Sequence, residues 1–89
     1  MRAVITVVGK DRTGIIAGVS GYLADKKINI LDISQTIMQD LFTMIMLVDT
    51  QGADITAEVL SADLKALGEK IGVEINVQHE GLFSAMHRI

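Results

Sequence analysis

From Leu41 to Val48 the chain reads Leu-Phe-Thr-Met-Ile-Met-Leu-Val, apolar almost without a break. Read with the two-residue period of a strand, this run puts Phe42, Met44, Met46 and Val48 on one side. Leu41, Thr43, Ile45 and Leu47 fall on the other. A strand apolar on both sides belongs in the middle of a sheet, with both faces covered. Ala3 to Val8 is a run of the same kind, bounded by Gly9. Two further segments alternate. Asn29 to Met38 sets Ile30, Asp32, Ser34 and Thr36 against Leu31, Ile33, Gln35 and Ile37. Val73 to His79 sets Val73, Ile75 and Val77 against Glu74, Asn76 and Gln78. Strands that keep a polar side suit sheet edges.

Helical spacing fills the two long gaps. Ile15, Ile16, Val19 and Leu23 recur over Ile15 to about Lys26. Leu60, Leu64, Leu67 and Ile71 make one stripe over Thr56 to Ile71, with Thr56 placed to cap the start and Gly72 the end. The order is βαββαβ. Two central strands, two edge strands and right-handed crossovers give the spatial order 4-1-3-2. The expected fold is therefore α+β: a ferredoxin-like βαββαβ sandwich, a four-stranded antiparallel sheet with two helices on one face. Two helices cover only one face. The other keeps the second apolar side of strand three, so we expect it to meet a partner or a second subunit. Met44 and Met46 read as packing filler.

A chain of 89 residues holds one domain, here assigned to 1–79. Residues 80–89 form a separate tail in which Leu82, Phe83, Met86 and Ile89 recur at helical spacing. It is expected to pack as a short helix or docked segment on the domain or on a partner subunit. There is no Cys, so neither disulfides nor thiolate metal sites are available. Hydrophobic residues make up 49% of the chain, high for so small a domain, and this again points to apolar surface buried between subunits. The net charge of −3 gives no drive toward nucleic acid or an anionic membrane. No apolar run approaches the length of a membrane span, and the apolar start is too short for a secretion signal. A cytoplasmic protein without a cofactor is the expectation.

The segment Gly9-Lys10-Asp11-Arg12-Thr13-Gly14 joins strand one to helix one. Glycines there permit tight turns, and the first turn of a helix leaves amide N–H groups unpaired, of which Thr13 can cap only some. Such amides attract a carboxylate or phosphate. An ordinary strand-to-helix turn is the plainer reading of the same residues. Gly18 and Gly21 interrupt helix one and form a small-residue patch with Ala17, read as a packing surface. Asn29 opens strand two after Lys26-Lys27-Ile28, and Asp32 sits in an edge strand.

These residues resemble a known family. Asp11-Arg12-Thr13-Gly14-Ile15-Ile16, followed by Val19, Leu23 and Lys27-Ile28-Asn29-Ile30, looks like the ACT domain, over residues 2 to 79. Ser34-Gln35-Thr36 and the closing Met86-His87-Arg88-Ile89 resemble the small stand-alone ACT proteins of the UPF0237 family. The modules of glycine cleavage repressors are similar. Thr13 stands where that loop often has Pro. The resemblance implies a βαββαβ fold, dimers, and in many relatives a free amino acid bound at the dimer interface. Carried over, the loop amides of Asp11, Arg12, Thr13, Gly14 and Ile15 would meet the ligand carboxylate. Asn29, Ile30 and Leu31 of the neighbouring subunit would meet its ammonium and side chain. Asp11 repels a carboxylate but suits an ammonium. Some ACT domains carry no ligand and serve as assembly units.

Other chemistries fit less well. No serine lies in a nucleophile elbow, and the spacing of Ser84 and His87 offers no oxyanion hole. His79 and His87 with Glu74 or Glu80 match no metal-ligand spacing. RNA-binding domains of the same strand order stack bases on central-strand aromatics, and here strand one has none and strand three only Phe42. An acylphosphatase would use an Arg and an Asn, for which Arg12 and Asn29 are superficial candidates, but Asp11 in the loop opposes a phosphate. The expected function is a non-catalytic, dimeric regulatory module that binds a small metabolite, first of all an amino acid, and signals to a separate protein. A ligand-free interaction module is the alternative.

Overall fold

The structure, a computed structural model, describes residues 1–81. Its order is β1 (Arg2–Lys10), α1 (Ile15–Asp25), β2 (Asn29–Met38), β3 (Leu41–Asp49), α2 (Ala57–Ile71) and β4 (Val73–His79). The four strands form one antiparallel sheet in the order β2-β3-β1-β4, the arrangement expected from the apolar patterns. The tail residues 82–89, including Phe83, Ser84 and His87, lie outside the described residues.

Both helices pack on one face. Ile15, Val19 and Leu23 of α1 and Leu60 and Leu64 of α2 close over Ala3, Ile5 and Val7 of β1 and Phe42, Met44, Met46 and Val48 of β3. Both methionines are fully buried, as packing filler should be. Burying each such large side chain contributes about 1.5–3 kcal/mol, offset by the entropy of ordering it. α2 begins where Thr56 accepts a hydrogen bond from the Val59 amide and ends at left-handed Gly72. Tyr22 of α1 and Asp63 of α2 join the helices through a hydrogen bond of 2.7 Å.

Three details depart from the sequence reading. β1 does not stop at Gly9 but runs to Lys10. Gly9 is needed inside the strand, because a Cβ there would lie 2.7 Å from Cγ1 of Val73 on β4. β2 does not alternate regularly: Ile30 pairs with Val48 and Asp32 with Leu47, so Leu31 is an extra, bulged residue. Ile30 therefore shares the helix side with Ile33 and Ile37, and Asp32 lies on the opposite face. The sequence pattern had put Ile30 and Asp32 together, because period two cannot register an inserted residue. Finally, β2 is exposed along its whole length, since the helices do not reach over that edge.

The face away from the helices carries Val4 and Val8 of β1 with Leu41, Ile45 and Leu47 of β3. It is as apolar as strand three implied. No helix of the described residues is long and apolar enough to cross a membrane.

Candidate functional site

The loop between β1 and α1 sits at one end of the sheet. The amide of Asp11 donates to the carbonyl oxygen of Asp40 at 2.7 Å, tying the loop to the turn between β2 and β3. That amide is therefore engaged within the chain, a correction to the set of free amides expected from the sequence. Arg12 crosses to the other side and lies over the end of α2, with Nη1 3.0 Å from where a Cβ on Gly72 would stand. A cation at a helix C-terminus meets the negative end of its dipole.

Thr13 does not cap α1. The N-cap is Gly14, in the left-handed region at φ 93°, and among the described residues no side chain caps the helix start. The hydroxyl of Thr13 falls one residue too early, because the chain needs Gly14 for the reversal. The first turn also contains no acidic residue. Amides of Ile15, Ile16 and Ala17 precede any possible i→i−4 partner and point out of the helix start. Together with the dipole they make a positive, hydrogen-bond-donating end, suited to a carboxylate.

Asn29, Ile30 and Leu31 lie at the opposite end of the sheet. Asn29 stands opposite Asp49, and Asp49 stands opposite Arg2, at the start of β1. The loop begins at the other end of β1, beside Lys10. The length of β1 between them is about 27 Å at ~3.4 Å per residue. One chain thus does not bring the two groups together, and no single amino acid spans them. Local geometry accounts for the exposure of Ile30 and Leu31. The bulge turns Leu31 out of the ladder, and the Asp32 carboxylate accepts from the Ile33 amide at 2.9 Å, stiffening the strand just beyond it.

The sequence reading missed a groove of about 680 Å³ along β4, lined by Lys65, Gly68 and Glu69 of α2 and by Glu74, Asn76 and Val77 of β4. None of the expected site residues line it. Gly72, beneath Arg12, is at its end. The available signal was Gly68, a glycine on the buried stripe of a good helix. A Cβ there would stand 2.6 Å from the carbonyl oxygen of Val73, so α2 rides directly on the β4 backbone.

The sequence pattern of the ACT domain family matches residues 2–78. The chain belongs to the ACT domain family. A UPF0237 protein of Clostridium acetobutylicum is 55% identical over 89 residues, which is 100% of both chains. The structure of an ACT domain protein from Streptococcus pneumoniae is 44% identical, covers 93% of each chain and superposes with a TM-score of 0.80. The regulatory subunit of aspartate kinase from Thermus thermophilus, in a ligand-free form, is 25% identical over 89% of this chain and 51% of its own, with a TM-score of 0.69. This ACT domain thus matches small proteins of its own length as well as part of a larger regulatory subunit.

Proposed function

We propose that this ACT domain is a non-catalytic regulatory module of the cytoplasm, working as a homodimer that binds a free amino acid between subunits and passes the signal to a separate protein. The observation that carries the reading is the start of α1. It is uncapped by any side chain among the described residues, free of acidic residues in its first turn, and approached through left-handed Gly14. In this reading the amides from Arg12 to Ile15, continued by the first-turn amides of Ile16 and Ala17, receive the ligand carboxylate, and the Asp11 carboxylate beside the loop helps to hold the ammonium. Asn29, Ile30 and Leu31 come from the second subunit, because the first holds them at the far end of its sheet. The exposed β2 edge, with Ile30, Ile33 and Ile37 uncovered, is the surface on which the second copy docks. Burial of that edge would remove an apolar, unpaired strand from water.

A thermal-shift screen against the twenty amino acids at millimolar concentration tests this. A ligand at ~100 times its dissociation constant adds about 2.7 kcal/mol to stability, a clear rise in melting temperature for a domain of this size. One or two selective hits support the sensor. A flat panel overturns it in favour of the second reading, a ligand-free assembly module, which the apolar β2 edge alone would serve.

A further inference from the structure

The loop before α1 leaves β1 between two neighbouring strands. At this end of the sheet Lys10 pairs with Leu41 of β3 on one flank, and Gly9 pairs with Val73 of β4 on the other. The next two residues turn to opposite flanks. Asp11 gives its amide to the carbonyl oxygen of Asp40, in the turn beside β3, at 2.7 Å. Arg12 reaches the other way, to Gly72, the single residue between α2 and β4.

The guanidinium does not meet Gly72 edge-on. From the place a Cβ would occupy there, Nη1, Cζ and Nη2 stand at 3.0, 3.1 and 3.4 Å. An edge-on group would set Cζ back behind both nitrogens. Here the central carbon is as near as they are, so the plane lies flat over the glycine. Gly72 is left-handed at φ 81°, and its amide closes the last turn of α2 on the Gly68 carbonyl oxygen at 2.8 Å. The carbonyls after Gly68 have no donor within the helix, and a flat cation above them meets the negative end of the dipole. Among the described residues the ion pairs are Met1–Asp49 and Arg2–Glu80, and neither involves Arg12. The helix end, rather than a carboxylate, is what holds it. Any side chain at position 72 would take the place of the guanidinium, so the glycine serves the close approach as well as the backbone reversal.

We propose that Arg12 is a positioning residue. Laid on Gly72, its side chain stakes the β1–α1 loop from the β4 flank, as the Asp11 amide stakes it from the β3 flank. The two stakes together set the direction of the amides at the start of α1. The role rests on the reading of those amides as the ligand site. A loop held in one arc offers them ready-formed. A loop free to wander offers them only for the fraction of time spent in that arc, and the apparent dissociation constant rises in inverse proportion. Arg12 thus serves the ligand through its backbone amide, while its guanidinium stays on α2.

Hydrogen exchange on the full chain, without ligand, tests this. Two amides report on the loop: Asp11, bonded to Asp40, and Gly18, bonded to the Gly14 carbonyl oxygen at 2.9 Å. The Leu60 amide, bonded to Thr56 at the far end of α2, is the control. Arg12→Gln removes the cation. Gly72→Asn keeps a residue that tolerates the left-handed region but fills the seat. Each should speed exchange at Asp11 and Gly18 about tenfold and leave Leu60 unchanged, with the double variant no faster than either single one. Arg12→Lys keeps a charge near the helix end but has no plane to lay on Gly72. It should preserve protection of the Gly72 amide and lose that of the loop. Parent-like exchange at Asp11 and Gly18 in Arg12→Gln overturns the proposal and leaves Arg12 as a helix-end charge alone. Full rescue of both loop amides by Arg12→Lys also overturns it. No ligand enters the experiment, so a flat amino-acid screen would remove the ligand site and leave the two stakes standing.

Discussion

Tyr22 on α1 donates its hydroxyl to the Asp63 carboxylate on α2, 2.7 Å away, and this is a side-chain hydrogen bond between the two helices. Burial, then the Asp63 hydrogen bond and charge, hold the phenol proton well above its ordinary pKa of 10.0. Because the folded pKa is raised, the associated stability is fully present below pH 10 and is lost as the pH climbs beyond it. Tyr22 is the only tyrosine in a chain without tryptophan, so its titration is cleanly visible. Tyrosinate absorbance should appear only as the protein unfolds in alkali. Tyr22→Phe should cost about 1 kcal/mol, some 4–8 °C in melting temperature, with Asp63→Asn not adding to it.

The glycines should sort by what surrounds them. Gly9→Ala drives a methyl into Val73 and should destabilise by about 1–3 kcal/mol, relieved in part by Val73→Ala. Gly68→Ala should be worse and unrelieved by that change, because the obstacle is the Val73 carbonyl oxygen. Gly21→Ala, with nothing within 4 Å among the described residues, should instead stabilise by up to about 1 kcal/mol. Chemical denaturation of the single glycine variants and of the two combinations with Val73→Ala measures all of this.

Gly14→Val should leave a folded dimer that no longer binds ligand. A Cβ at Gly14 meets no atom of the described residues within 4 Å, so the damage is to the backbone, whose φ of 93° a β-branched residue resists. A stability loss of about 1–2 kcal/mol is expected, with binding measured by calorimetry on the amino acid found in the screen. Full-strength binding by this variant would remove the loop from the site.

Ile33→Asp with Ile37→Asp places two charges on the uncovered side of β2 and should give a folded monomer in sedimentation, since neither residue takes part in the core. A dimer that survives both changes would move the interface elsewhere.

Asp49 has its carboxyl pKa lowered from 3.8, first by the backbone N–H of Gln51 and then by the amino group of Met1, 3.6 Å away. Its stabilising effect is present above that ordinary value and is lost as the pH falls through the depressed one. Melting temperature plotted against pH should fall less steeply in acid for Asp49→Asn than for the parent.

The fold was legible because its determinants are periodic. Apolar residues on both sides of Leu41–Val48 put that strand in the centre, and the order of the remaining strands followed from it. Thr56 and Gly72 bounded α2 because each supplies what a helix end lacks. The bulge at Leu31 was not legible, since it is set by pairing with β3 and leaves no mark in composition. The role of Gly9 was hidden for the same reason: its constraint is Val73, far away in sequence and adjacent in space. Of the candidate site, the glycine of the loop and its place before α1 were readable. The commitment of the Asp11 amide to Asp40, and the missing cap from Thr13, depend on distances that only the folded chain defines.

The extra residue at position 31 has a bearing on how such a protein can change. On both sides of it the ladder with β3 keeps its partners, so the stretch Asn29–Leu31 is slack taken up locally, with no transmission into the sheet. Substitutions there escape the veto of the core. A lineage can retune what this end of the strand touches, residue by residue, while the remainder of the domain inherits its packing unaltered.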